Sequence, residues 1–357
     1  SGKEKASYDV EIDIVNPNPV TQNYKELVIE PGKTGTLSWA SFGVAGSNSA
    51  RLEVSSFPSI DFNRRLDYLI LYPHGCLEQV TSGAFPQLYL ADIADVDQAR
   101  KKKIQTNVTA ALQKLAQYQV ADGGFSYWPG HNNPDDWGSS YVGHFFIEAE
   151  KKGYALPLNS KRQWLSYQQK TARQWRYTSG YRNDFAQAYR LYTLALAGAP
   201  DLSSMNRLRE TNGISNESKL RLAAAYALAG QKNVGQQLLN QSSLDVENSP
   251  YQYYYYGSAE RNRAMALETL VLLGQKQKAF EMATKLAKQM SSDQWMSTQT
   301  SAYCLYAMSK FAQANGPKGI DATYTSKGKS QTIKTTKTFA GRVLDISTNN
   351  IVTIKNN

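Results

Sequence analysis

Only two cysteines, Cys76 and Cys304, and three histidines, His74, His131 and His144, occur in 357 residues. Two cysteines cannot build a disulfide framework. Three dispersed histidines with no paired metal-ligand spacing argue against a zinc site, and no metal or organic cofactor is expected. No stretch approaches the roughly 18 apolar residues of a membrane span, and no signal-peptide pattern opens the chain. Long runs of one charge are also scarce. The formal charge of +10 permits an anionic partner, but Lys101-Lys102-Lys103 is the one basic run of note and reads as a solvated helix face, so no nucleic acid is expected. With 41% hydrophobic residues the chain can build a sizeable core and is not disordered. Ser1-Gly2 has the look of a cloning remnant, so the residues are expected to be a piece of something longer.

What is present is a change of period along the chain. From about residue 8 to 56, Val10, Ile12 and Ile14 alternate with Asp9, Glu11 and Asp13, and Asn16-Pro17-Asn18-Pro19 breaks the run. Leu27-Val28-Ile29, then Leu37 and Trp39, then Leu52 and Val54 resume it, the pattern of antiparallel strands with one wet face. From about Asp61 to Asn315 the period is helical, with stripes such as Val108, Leu112 and Leu115, then Val142, Phe145, Phe146 and Ala149, then Phe280, Ala283 and Leu286. Helices of this length with short connections predict stacked hairpins. From about Lys318 the alternation returns at Ala322 and Tyr324, then Val343, Ile346 and Ile351 to Ile354. The order predicts a helical domain inserted into a β-domain.

One stretch carries chemistry: Tyr72-Pro73-His74-Gly75-Cys76-Leu77-Glu78-Gln79. Pro73 and Gly75 interrupt regular structure, so a helix beginning near Gly75 places Cys76 and Gln79 on one face. Its N-terminal N–H groups favour a thiolate. The Cys76 sulfur can then attack the Gln79 side-chain amide, expel ammonia and close an internal thioester. Spacing alone favours a structural helix start with a buried thiol. Leu77 is expected to point into the core, and Glu78 to be a solvated first-turn carboxylate, with a general-acid role as the alternative. Cys304, in the apolar run Ala302 to Met308, reads as a core thiol that is not bridged to Cys76. The five tyrosines between Tyr251 and Tyr256 read as packing residues more than as a recognition patch, and Ser258 as the cap of the next helix.

This run, with Phe57-Pro58 and Arg64-Arg65-Leu66 before it and Thr81-Ser82 and Phe85-Pro86 after it, resembles the Cys-Leu-Glu-Gln thioester motif of bacterial α2-macroglobulins. Asp122-Gly123-Gly124-Phe125, the helix opening at Trp137 and Tyr141, and Trp295-Met296-Ser297-Thr298-Gln299 also match that family, and the resemblance covers nearly the whole chain. It implies a mainly α fold, an α/α-toroid thioester domain over residues 61–316 inserted into a small antiparallel β-sandwich of the CUB type. The two parts of that sandwich would be residues 1–60 and 317–357, the second truncated.

The implied function is that of a fragment of an endopeptidase inhibitor. Its Cys76–Gln79 thioester would capture lysine amines of an attacking protease once, without turnover. The resemblance casts Tyr72 as a shield over the bond, and other macroglobulin domains of the full-length chain as partners and second cover. Without that cover the bond is expected to be labile, with hydrolysis leaving Glu in place of Gln79. The family is periplasmic and often lipid-anchored, with no membrane span in this fragment.

In complement relatives a downstream histidine attacks the thioester and redirects it to hydroxyls. His131, in the loop Trp128 to Pro134, falls roughly in that region, but the loop is shorter and bacterial members generally lack the histidine. His74 reads as a local hydrogen-bonding residue and His144 as packed in a helix. Amines are therefore the expected acceptors. A Cys-dependent hydrolase is one alternative; it needs a histidine near Cys76 and leaves Gln79 unexplained. A protein-interaction module that never forms the thioester is the other. Asp122 to Phe125 also faintly resembles the repeat motif of terpene cyclases and prenyltransferase subunits. No Asp-rich diphosphate motif accompanies it, so that likeness is read as shared fold.

Overall fold

The computed structural model describes residues 21–56, 75–93, 96–178, 183–246, 255, 257–292, 294–315 and 319–357. The strand expected at Val10 to Ile14, the roles of Tyr72 and His74, and the tyrosines at 251, 253, 254 and 256 lie outside the described residues.

Among the described residues two strands come first, β1 (Thr34–Ala40) and β2 (Ala50–Ser55). The helices follow: α1 (Leu77–Ala84), α2 (Gln87–Ile93), α3 (Gln98–Ala116), α4 (Asp136–Lys151), α5 (Ser160–Gln174) and α6 (Asp184–Leu196). Then come α7 (Leu202–Glu210), α8 (Asn216–Leu228), α9 (Lys232–Asn240), α10 (Ala259–Leu272), α11 (Lys276–Met290) and α12 (Thr298–Ala314). The chain ends in β3 (Ile320–Ser326), β4 (Lys329–Thr335), β5 (Phe339–Leu344) and β6 (Asn349–Asn356). The described chain is thus mainly helical with a small antiparallel β part.

Helix burial sorts into two kinds. In α4 every residue from Trp137 to Ala149 is buried, and α1, α6, α8, α10 and α12 are likewise buried nearly all round. A helix apolar on all sides belongs inside a core. These helices pack in succession, α4 on α6, α6 on α8, α8 on α10 and α10 on α12, and α12 returns to α1, which packs on α4. The contacts therefore close on themselves. The remaining helices bury one face against that ring. In α11 this face is Ala279, Met282, Ala283, Leu286, Ala287 and Met290. Phe280, read from the sequence as part of the stripe, is 52% exposed, because it sits one position off that face.

The two β stretches pair with each other. β1 and β6 are antiparallel, and the sheet order is β1-β6-β3-β4; β2 pairs with β5 in a second sheet. Leu52, Ile320, Ala322, Tyr324, Ile333, Ala340, Leu344, Val352 and Ile354 form their shared core. Leu27 to Ile29 is not a strand: no ladder pairs it, and Val28 is exposed. Val343 and Ile351, also counted as inward from the sequence, face solvent, because the period-two alternation puts Leu344 and Val352 on the inner face. Phe339, at the start of β5, belongs to the helical core, and Lys337 Nζ donates to the Ala91 carbonyl at 2.8 Å, so this strand joins the two parts.

Candidate functional site around Cys76

α1 begins where Gly75 turns the chain at φ +94, a conformation that glycine adopts without strain. Cys76 is the N-cap, with extended backbone. Gln79, in the first turn, folds its carboxamide back, and Oε1 accepts the Cys76 N–H at 3.3 Å. A Cβ at position 75 would lie 1.9 Å from that oxygen. The Cys76 side chain in turn faces the Gln79 backbone N–H, the reciprocal pattern of a capping box. Thiol and carboxamide thus share one helix N-terminus, and Cys76 is only 4% exposed. The carbonyl oxygen already rests on an N–H at the positive end of the helix, where negative charge would develop if sulfur attacked the carbon. The i, i+3 spacing puts both residues in the first turn of α1.

A tight loop closes the other side. The Asp122 carboxylate accepts from Gly124 N at 2.9 Å, Val120 N donates to the Gly124 carbonyl at 2.9 Å, and Ser126 N to the Tyr118 carbonyl at 2.8 Å. Gly123, at φ +96, passes so close to Gln163 that a Cβ would meet its carbonyl oxygen at 2.3 Å. The chain thereby returns to α1. The Tyr127 carbonyl accepts from Leu77 N at 3.1 Å, and the Tyr127 hydroxyl lies 3.0 Å from Cys76 Sγ, with the thiol donating. Tyr118 donates its hydroxyl to the Gly75 carbonyl at 2.7 Å. Burial, and then the neighbouring Cys76, pushes the Tyr118 phenol up. Neither tyrosine was singled out from the sequence. The available signal was that both flank Asp122-Gly123-Gly124-Phe125.

Glu78 departs from expectation. It is buried, not solvated, because the start of α12 packs across the first turn of α1. Ser82 Oγ donates to Oε1 at 2.6 Å, and Thr298 Oγ1 lies 3.0 Å from both carboxylate oxygens. Burial raises its pKa, and bonds from Ser82, Thr298 and the Gln299 backbone oppose that rise. The Trp295-to-Gln299 stretch noted in the sequence is the segment that delivers Thr298. Leu77 is fully buried, as expected.

Among the described residues, the other predicted ones are not brought to the sulfur. His131 is exposed in its loop, with its N–H on the Trp128 carbonyl at 3.4 Å, and the side chain that reaches Cys76 from this loop is Tyr127. His144 is fully buried, with Nδ1 3.0 Å from the Tyr189 hydroxyl and Nε2 3.0 Å from the Tyr306 hydroxyl. Burial holds its pKa well below the usual histidine value, so it is neutral. Cys304 is buried and, like Cys76, unbridged. Tyr255 stacks on Trp137 with centroids 5.1 Å apart, and Ser258 Oγ caps α10 by accepting from Arg261 N at 3.1 Å.

The middle of the ring is polar. Arg221 and Glu268 pair at 2.6 Å, and the Tyr306 hydroxyl donates to Glu268 at 2.8 Å. Tyr192 and Tyr303 bond the same carboxylate, and the Arg221 guanidinium lies 3.4 Å over the Tyr192 ring. Burial pushes the Glu268 pKa up, but the Arg221 guanidinium and the hydrogen bonds from Tyr192 and Arg221 outweigh it and hold it at about 2. Among the described residues no group of three His, Cys, Asp or Glu could hold a metal, and no helix is long and apolar enough to cross a membrane.

Three comparisons bear on this site. A profile of the A-macroglobulin TED domain matches residues 52–188. The α2-macroglobulin of Escherichia coli strain K12 is 28% identical over 309 residues, 79% of this chain and 18% of the relative. The crystal structure of Salmonella α2-macroglobulin reacted with methylamine matches with a TM-score of 0.70 at 21% identity, over 91% of this chain and 23% of that one. Native E. coli α2-macroglobulin from domain MG7 to the C-terminus matches with a TM-score of 0.67 at 20% identity, over 91% of this chain and 55% of that one. The chain thus spans about a fifth of the length of its curated relative.

Proposed function

Since the chain belongs to the bacterial α2-macroglobulin family, we propose that it is the thioester-bearing segment of an endopeptidase inhibitor. In this reading the closed ring of helices is the α/α-toroid thioester domain, residues 61–316, set into a CUB-like β-domain made of residues 1–60 and 317–357. Cys76 Sγ attacks the Gln79 carboxamide carbon, the C–N bond breaks, and the thiol proton leaves with ammonia. Oxygen charge in that step develops against the Cys76 N–H, and α1 needs no rearrangement to supply it. A lysine amine of an attacking protease later displaces the sulfur, leaving an amide to Gln79 and a free Cys76 thiol. The reaction happens once per molecule, so the protein is an inhibitor and not a turnover enzyme. Tyr72 and other macroglobulin domains exclude water from the bond, and the full-length protein works in the periplasm.

The observation that carries this reading is the Gln79 carboxamide folded back over Gly75 onto the backbone N–H of Cys76, whose thiol is buried at the same helix start. The methylamine-reacted Salmonella relative shares the fold and is an example of amine chemistry on such a protein. A Cys-His hydrolase has less support, since both nitrogens of His144 face tyrosine hydroxyls and, among the described residues, a phenol and not an imidazole meets Cys76. Intact mass with and without methylamine tests the proposal. The thioester form weighs one ammonia less than the sequence, gains methylamine and releases one titratable thiol. Full sequence mass with no amine uptake, even in the full-length protein, would instead mark a non-thioester interaction module. Multiple turnover of an ester, lost in Cys76→Ala, would mark a hydrolase.

A further inference from the structure

We propose that Tyr127 is a catalytic proton donor to the Cys76 sulfur when an amine opens the thioester. The inference rests on the thioester reading and adds a residue to it. Tyr127 is tied to the site at two points: its carbonyl holds Leu77 N at 3.1 Å, and its hydroxyl stands 3.0 Å from Cys76 Sγ. The loop behind it is fixed by the Asp122–Gly124 bond and by the packing of Gly123 against Gln163, which holds the backbone that carries the phenol in place. A phenol both accepts and donates. It accepts from the thiol in the open form, and it can donate to a sulfur that bears charge.

The step balances as follows. The amine nitrogen forms a bond to the Gln79 carbonyl carbon, and the oxygen takes the electron pair beside the Cys76 N–H. The pair returns, the C–S bond breaks, and its electrons go to sulfur. Tyr127 passes its hydroxyl proton to sulfur and recovers one from the nitrogen, so the proton lost by the amine ends on Cys76. The imidazole that would form an acyl intermediate is not needed. Because Tyr127 takes the nitrogen's proton only after the C–N bond has formed, it does not activate the nucleophile beforehand, so it favours acceptors that arrive as good nucleophiles, which amines are and neutral hydroxyls are not.

The test is the rate of methylamine uptake by intact mass in wild type, Tyr127→Phe and Tyr127→Leu, with circular dichroism to verify folding. Phe keeps the ring and removes only the hydroxyl; Leu removes both. The expected result is that Tyr127→Phe retains the ammonia mass deficit and takes up methylamine about 10- to 100-fold more slowly, the range of one hydrogen bond to a charged group. Tyr127→Leu should be as slow and should also lose the deficit faster in buffer. Uptake by Tyr127→Phe at the wild-type rate overturns the donor role while leaving the thioester reading intact. A folded Tyr127→Phe that lacks the deficit when wild type has it also overturns it, by assigning the hydroxyl to preserving the bond. A full-length wild type at the exact sequence mass, with neither the ammonia deficit nor the small gain of Gln79 hydrolysed to Glu, overturns both readings together.

Discussion

The Gln79 carboxamide lies against Gly75 so closely that the smallest side chain at position 75 would overlap it, a Cβ falling 1.9 Å from Oε1 and 3.0 Å from Cδ. Gly75 therefore does two jobs, one in the backbone and one in space. Gly75→Ala should cost about 1–2 kcal/mol for the left-handed backbone and should also push the carboxamide out of reach of Cys76. The expected outcome is a protein that still unfolds cooperatively but shows neither the ammonia deficit nor methylamine uptake. A variant with the full deficit would show that the Gln79 position is not set by this contact.

The carbonyl of the same glycine is held by Tyr118 at 2.7 Å. Tyr118→Phe removes that bond and leaves the buried ring in place, at an expected cost of about 1 kcal/mol. The fraction of molecules carrying the mass deficit should fall, since Gly75 then has freedom to release Gln79. Urea unfolding and intact mass on one sample check both effects, and an unchanged deficit would confine Tyr118 to stability.

Much of this was legible in the residues. The β, α, β order follows from period two and period 3.6, which are local properties, and the Cys76–Gln79 pairing follows from i, i+3 geometry. What escaped was set by contacts remote in sequence. Glu78 reads as a solvated first-turn carboxylate until Thr298, 220 residues later, is laid across it. Tyr127 is 51 residues from Cys76, and only the Asp122-to-Phe125 turn brings it back. Phe280, Val343 and Ile351 misled for a different reason: an apolar residue one step off the buried face looks the same in a stripe as one on it.

The burial of Glu78 has a sign that can be measured. Its folded pKa lies above the ordinary value of 4.5, so the native state holds its proton more tightly than the unfolded chain does. Ionisation of Glu78 therefore lowers stability as pH rises from 4.5 through the raised value. Glu78→Gln removes this charge and keeps an oxygen for Ser82 and Thr298. The expected outcome is a Tm at pH 7 equal to or above that of wild type, with the difference shrinking as pH falls towards 4.5. A lower Tm across that whole range would mean the carboxylate is needed ionised.

The centre of the ring should respond in the opposite direction. Glu268 is held at about 2, below its ordinary 4.5, and burial depresses His144 below its ordinary 6.5. For a depressed carboxylate and a depressed histidine alike, the unfolded chain takes up the proton first, so each contributes stability that is lost as pH falls. The loss should begin below pH 6.5 as unfolded His144 protonates and deepen between 4.5 and 2 as unfolded Glu268 does. At neutral pH, Glu268→Gln leaves Arg221 buried without its counter-charge and should cost about 3–5 kcal/mol. Adding Arg221→Met to that variant should recover part of the loss, because the stranded charge and not the missing bond dominates it. Urea unfolding of the two variants at pH 7, with wild type repeated down to pH 3, checks the sequence of effects. A double variant no more stable than Glu268→Gln alone would assign the cost to the Tyr192, Tyr303 and Tyr306 hydroxyls that lose their shared acceptor.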